Sequence, residues 1–184
     1  GYSHHSDAGL DAEAVSAFDT KADISVDGGF NAGAGVGYRY SERWAVELAW
    51  EYRSNDSETE LGSGERYPDG NLASSTFYLN GFYHLPTSGA MDFYVGAGLG
   101  WLQEIDIDLE GNGPEQSYSG DGDIGVQLFL GADYALSDAW ALQGEVRYAR
   151  FSDIDLDGEA GAEGTLAGLD YEPLTLQLGI VYRF

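Results

Sequence analysis

Two short segments of this chain nearly repeat each other, Asp106-Ile-Asp-Leu-Glu-Gly111 and Asp153-Ile-Asp-Leu-Asp-Gly158. Carboxylates at alternate positions offer hard oxygen ligands, the kind that Ca²⁺ and Mg²⁺ take. The second segment also matches the first half of a calcium loop, but Gly164 stands where that loop needs a bidentate glutamate. With strand parity carried through, Glu104, Asp106, Asp108 and Glu110 share the inward face with Asp153, Asp155 and Asp157, and Ile105, Ile107, Leu109, Ile154 and Leu156 point out. Asp121 and Asp123 are in phase with Gly125 and join the inward set. Asp106, Asp108, Asp121, Asp123, Asp153, Asp155 and Asp157 therefore form the candidate metal site, a carboxylate-lined mouth. The plainer reading is that acidic loops stay hydrated and repel neighbours. Histidine adds little. His4 and His5 are adjacent, so on a strand they would point to opposite faces, and a solvated loop suits them better.

The elements that must carry these residues are strands. Leu174, Leu176, Leu178, Ile180, Tyr182 and Phe184 alternate with Thr175, Gln177, Gly179, Val181 and Arg183. A period of two with one apolar face is a β-strand. The same alternation starts at Phe30, turns at Ser41-Glu42-Arg43 and continues through Trp44–Arg53. It recurs in pairs of strands at 77–84 with 93–101, and at 124–134 with 140–149. Short turns alternate with long acidic stretches at about 1–29, 54–73, 104–123 and 152–172. Seven strands are clear, and an even number is expected, so one more lies upstream of residue 29. Leu10–Phe18 is one placement; the preferred one makes Gly1-Tyr2-Ser3 the tail of a first strand that begins before this chain.

The 184 residues carry a net charge of −24, which argues against nucleic acid as a partner. There is no cysteine, so neither a disulfide framework nor a thiolate metal site can form. No run of about 18 apolar residues exists, so a transmembrane helix is excluded, but barrel strands need only alternation over about ten. The polar face decides between a soluble and a lipid-embedded barrel. Gly33, Gly35, Gly37, Gly96, Gly98 and Gly100 on a wet surface would leave strands bare. Inside a narrow barrel they make room for long side chains. The inward charge network is then Arg39, Glu47, Glu51, Arg53, Asp133, Glu145, Arg147 and Arg183. Aromatic residues gather at both strand ends, as at two membrane interfaces. These patterns predict an all-β, antiparallel, up-and-down transmembrane barrel of eight strands, a single domain over 1–184. Residues 92–110 would span about 60 Å at about 3.3 Å per residue, beyond a 25 Å apolar band, so a sheet projects from the membrane.

GAGVGYRYSERWAVELAWEYR, FYVGAGLGW, LGADYALSDAWALQGEVRYARFSD and the terminal LQLGIVYRF resemble the eight-stranded outer-membrane β-barrel superfamily, which includes the OmpA, OmpX and opacity-type barrels. The resemblance covers about residues 30–184. It implies a bacterial outer-membrane location with long loops outside and short turns in the periplasm, contact with outer-membrane lipid and lipopolysaccharide, and recognition of Tyr182 and Phe184 by the barrel-assembly machinery. It implies a strand before the GYS-like segment. It transfers no catalytic site: lipid-modifying members carry serine–histidine constellations, and His84 is the one strand histidine, with no strand serine in an obvious relay. The resulting expectation is a non-enzymatic barrel with a structural or surface role, in envelope integrity, adhesion or self-association, with Ca²⁺ or Mg²⁺ at its mouth. The alternative is a narrow channel or a lateral transporter for small or hydrophobic molecules; an outer-membrane hydrolase or acyltransferase is a weaker third.

Overall fold

A computed structural model of the chain describes residues 2–3, 10–15, 21–61, 63–87, 89–111, 115–159, 162 and 164–184. Its strands are β1 (Tyr2–Ser3), β2 (Leu10–Val15), β3 (Lys21–Arg39), β4 (Trp44–Leu61), β5 (Arg66–His84), β6 (Met91–Glu110), β7 (Gln116–Gly120), β8 (Ile124–Ala135), β9 (Trp140–Glu159), β10 (Thr165–Tyr171) and β11 (Leu174–Tyr182). All pairings are antiparallel. β1 and β2 both pair with β3, and reach β11 and β10 respectively on their other side. β7 and β8 both lie between β6 and β9. Taking β1/β2, β7/β8 and β10/β11 as one stave each, eight staves close into a barrel.

Two short turns share one chemistry. In Ser41-Glu-Arg-Trp44 the Ser41 Oγ accepts the N–H of Trp44 at 3.0 Å, and in Ser137-Asp-Ala-Trp140 the Ser137 Oγ accepts that of Trp140 at 3.1 Å. A serine hydroxyl so placed replaces a backbone partner and fixes the turn. The other end differs from the expectation of long polar loops. β4 runs to Leu61 and β5 begins at Arg66, so most of 54–73 is paired strand. Most of 104–123 and 152–172 is strand as well, and β3 already begins at Lys21. The first stave holds both proposed segments: Tyr2 pairs with Leu176 and Phe30, and Leu10 with Ile24. Leu10–Val15, the less favoured placement, is thus in the ladder; His4 and His5 lie outside the described residues.

The decisive departure from the sequence reading is in parity. β6 carries one extra residue at Gln103, because Thr76 pairs with Leu102 while Ser75 pairs with Glu104. A one-residue slip turns every later side chain to the other face. Below it Phe93, Val95, Leu99 and Trp101 are exposed; above it Ile105, Ile107 and Leu109 are at most 1% exposed. β9 slips at the same level, where Asp153 adopts φ 57°: Tyr148 is exposed below, whereas Ile154 and Leu156 are fully buried above. β3 slips between Val26 and Gly29, turning Ile24 and Val26 inward while Phe30 stays outside. Between β7 and β8 the chain leaves the ladder at 121–123, and Gly122 with φ 86° lets its N–H reach the Leu102 carbonyl at 2.8 Å. The inward orientation expected for the aspartates of both acidic segments is therefore overturned: the isoleucines and leucines between them fill the interior.

Candidate functional site

The interior is built in three layers. At the long-hairpin end lies an apolar core from β3, β4, β5, β6, β7, β9 and β10, including Leu61, Leu72, Leu102, Tyr118, Leu166 and Leu169. Its lower boundary is aromatic: Phe151 meets Tyr78 at 6.5 Å and Tyr171 at 6.1 Å between ring centroids. The Tyr171 and Ser74 hydroxyls share a hydrogen bond of 2.9 Å.

Beneath is a polar floor. Arg53 donates to Glu51 Oε1 from Nε at 2.9 Å and from Nη2 at 2.7 Å. Arg147 binds Glu145 through Nε and approaches Glu51 at 3.9 Å. The Tyr94 hydroxyl donates to Glu145 at 3.0 Å, Asn31 to Glu51 at 3.3 Å and Asn80 to Glu47 at 3.0 Å; Gln127 donates to Asn80 at 2.5 Å. Charges this deep are stable only because Glu51, Arg53, Glu145 and Arg147 each find an opposite charge, although Arg53 Nη1 is left without a hydrogen-bond partner. Under the floor, Phe82, Tyr94 and Phe129 pack with centroids 4.8–6.5 Å apart. Gly96 is a socket here, since a Cβ on it would stand 2.2 Å from the Phe129 ring.

At the short-turn mouth, a polar cavity of about 480 Å³ is bounded by Arg39, His84, Asp92, Asp133 and Arg183. Arg39 and His84 each meet Asp92 at 3.1 Å, and Arg183 meets Asp133 at 3.1 Å. The structure thus brings Glu51, Arg53, Glu145 and Arg147 into one group and Asp133 with Arg183 into another. Arg39 and Glu47 take partners that sequence parity did not single out, Asp92 and Asn80. Asp92 is the second residue of β6, just before the alternation becomes regular, and Asn80 and Gln127 are uncharged, so charge matching could not find them.

The carboxylates of the projecting half lie outside. Ser117 donates to Asp108 at 2.6 Å and Thr165 to Asp157 at 2.9 Å. Asp155 accepts the Gly168 N–H at 3.1 Å, across the slip that gives Gly168 φ 77°. Asp106, half-buried and crowded by Asp108, Glu104 and Glu159, has its pKa pushed up to about 6, burial being the larger cause. Burial, then Asp155 and Asp121, also raises Asp123. Among the described residues no three acidic or histidine side chains converge as a metal site. The expected inward-facing mouth of Asp106, Asp108, Asp121, Asp123, Asp153, Asp155 and Asp157 does not form. The slips turn Asp106, Asp108, Asp155 and Asp157 to the outer wall, Asp153 sits in the β9 slip itself, and Asp121 and Asp123 lie where the chain leaves the ladder between β7 and β8.

The outer wall of the lower half is the reverse. Val36, Leu48, Leu79, Leu99, Leu128, Leu176, Leu178 and Ile180 are exposed there. Exposed aromatic rings bound the band, with Tyr38, Trp44, Phe93, Trp140 and Tyr182 at one edge and Phe30, Trp50, Trp101 and Tyr148 at the other. Phe93 to Trp101 is eight steps, about 26 Å along the strand and about 20 Å along the barrel axis at a tilt of about 40°, which with the rings themselves matches the apolar band of such barrels, about 25 Å. A family model for the outer membrane protein beta-barrel domain matches residues 2–184. The chain belongs to this family. These barrels sit in the outer membrane of Gram-negative bacteria, and the apolar band is what this one presents to lipid. It is 24% identical over 172 residues to outer membrane protein W of Vibrio cholerae serotype O1, covering 90% of this chain and 78% of that protein. The barrel superposes on OprG of Pseudomonas aeruginosa with a TM-score of 0.72 at 18% identity, covering 100% of this chain and 91% of OprG. With AlkL, solved in lipid bilayers, the TM-score is 0.57 at 18% identity, over 100% of this chain and 84% of AlkL. At these identities the structures speak for the fold.

Proposed function

We propose that this barrel is a non-enzymatic conduit for small apolar molecules, which it accepts at the long-hairpin end, outside the cell, and passes sideways into the membrane. The supporting observation is the inversion of polarity along the barrel axis. Apolar side chains line the interior where the barrel stands beyond the aromatic edge, and a charged floor lies directly beneath. An apolar solute is favoured in the upper layer, but the floor would have to give up its ion pairs to let it go straight down. The regular strands break off at this same level, although backbone hydrogen bonds from Leu102 to Asp123 and from Ala149 to Pro173 bridge the gaps. The strands are interrupted at 121–123 and at 172–173, and Pro173 has no N–H to give to a ladder. The upper interior is filled by its own side chains, so a solute enters by displacing them.

Proteoliposomes carrying the folded barrel test this. Saturable binding of a small apolar fluorophore, faster transfer of it into the lipid, and no steady single-channel conductance are expected. A conducting pore, or no binding above protein-free vesicles, overturns the reading. The second reading, a structural or surface-interaction barrel, is favoured by the close packing of the same interior and by the outward carboxylates, which divalent cations could bridge to lipopolysaccharide. Calorimetric titration of calcium separates it: saturable heat supports this role, flat heats remove the bridging.

A further inference from the structure

We infer that the lipid-facing wall carries a specific site for one phospholipid, with a hydrocarbon chain in a groove over Gly81 and Ala97 and the phosphate on Arg43. Gly81 and Ala97 are neighbours across β5 and β6, and larger outward residues surround them: Val46, Leu128 and Tyr148 in the same row. The resulting groove has a volume of about 710 Å³, within the range of about 300–1,000 Å³ that suits small ligands. A Cβ on Gly81 would come no nearer than 3.8 Å to a neighbour, so the floor is open toward lipid and not filled by protein.

The groove reaches the short-turn edge of the membrane at Trp44 and Tyr83, whose rings meet at 4.9 Å. Arg43, exposed where the groove meets the polar cavity of the short-turn mouth, borders that cavity and donates from Nη1 to the Tyr83 hydroxyl of the groove at 3.5 Å. Six other arginines each have a carboxylate partner; Arg43 has none among the described residues. In a chain of net charge −24, a guanidinium left without a carboxylate at the end of an apolar groove is complementary to one kind of molecule, an anionic headgroup on a hydrocarbon tail.

The full chain, folded in detergent, is titrated with phosphatidylglycerol and followed by native mass spectrometry. One saturable lipid per barrel is expected. Arg43→Gln and Gly81→Leu should each weaken it at least tenfold, and Arg43→Lys should stay within about threefold. Diacylglycerol, which lacks the phosphate, should bind at least tenfold more weakly than phosphatidylglycerol and be indifferent to Arg43→Gln. Gly81→Leu points into lipid and leaves the ladder intact, so the heat-dependent gel mobility of a folded barrel certifies each variant. Absence of stoichiometric lipid on the wild type, unchanged binding in both folded variants, loss in Arg43→Gln with none in Gly81→Leu, or tighter binding of lipid A than of phosphatidylglycerol at this site would each overturn the inference.

Discussion

The two ends of this barrel solve opposite solvent problems with one continuous ladder. In the lower half leucines and aromatics face out and Glu51, Arg53, Glu145 and Arg147 face in. In the upper half Ile105, Ile107, Ile154 and Leu156 face in, with Asp106, Asp108, Asp155 and Asp157 outside. Lipid rewards the first arrangement and water the second. β3, β6 and β9 switch between them through local one-residue slips, and the β7/β8 stave switches through a break. A pleated strand cannot turn its faces over gradually, so a slip or a break is the way to do it.

The strongest way to break this comparison is to remove one slip. Deleting Gln103 restores simple alternation in β6 and forces Asp106 and Asp108 into the core while Ile105, Ile107 and Leu109 turn out. Each apolar side chain then loses about 1.5–3 kcal/mol of burial, so the projecting half should become sensitive to limited proteolysis while the lipid-facing half stays resistant. An unchanged digestion pattern would mean that the slip is not what sets the faces.

The next effect contrasts two ion pairs. Arg147→Met leaves buried carboxylates without their guanidinium and should cost about 3–5 kcal/mol. Arg150→Met removes a surface pair with Asp170 and Glu172 and should cost less than about 1 kcal/mol. Urea unfolding in vesicles measures both, and equal losses would erase the distinction between floor and wall.

Glycines give a similar pair within the membrane. Gly96→Val meets the Phe129 ring and should cost about 1–3 kcal/mol as overpacking. Gly81→Val, facing lipid, should stay within about 0.5 kcal/mol.

The smallest effect is a pH dependence. The raised pKa of Asp106, about 6, means the folded state holds its proton more tightly than the unfolded chain does. The contribution of Asp106 to the stability of the projecting half should therefore be fully present below the ordinary carboxylate range and be lost as pH rises through about 6. Asp106→Asn should remove that slope and add roughly 1 kcal/mol at neutral pH once solvent screening is allowed for. Hydrogen exchange of β6 at pH 5 and pH 7.5 reads it.

Much of the lower half was legible from residue order. Phe30–Tyr40, Trp44–Arg53 and Leu174–Phe184 alternate without interruption, and a strict period of two states which residues share a face. The candidate metal site was not legible, because its orientation was extrapolated across Gln103 and Ser152-Asp153. The trace of a slip was present: Leu102 and Ile105, like Phe151 and Ile154, stand three apart, an odd step between two apolar residues of one face. Parity reasoning reads such a step as noise unless a neighbouring strand shows where the extra residue goes.

By itself, the order of residues determined that the chain is a barrel of alternating strands with a lipid-facing band, because lipid demands an apolar outer face and leaves no unpaired backbone. Tertiary structure decided which way the acidic segments face, which partners Glu47, Arg39 and Asn80 take, and that Leu10–Val15 joins the ladder. Those depend on register between strands far apart in sequence, where a single inserted residue reverses every side chain beyond it.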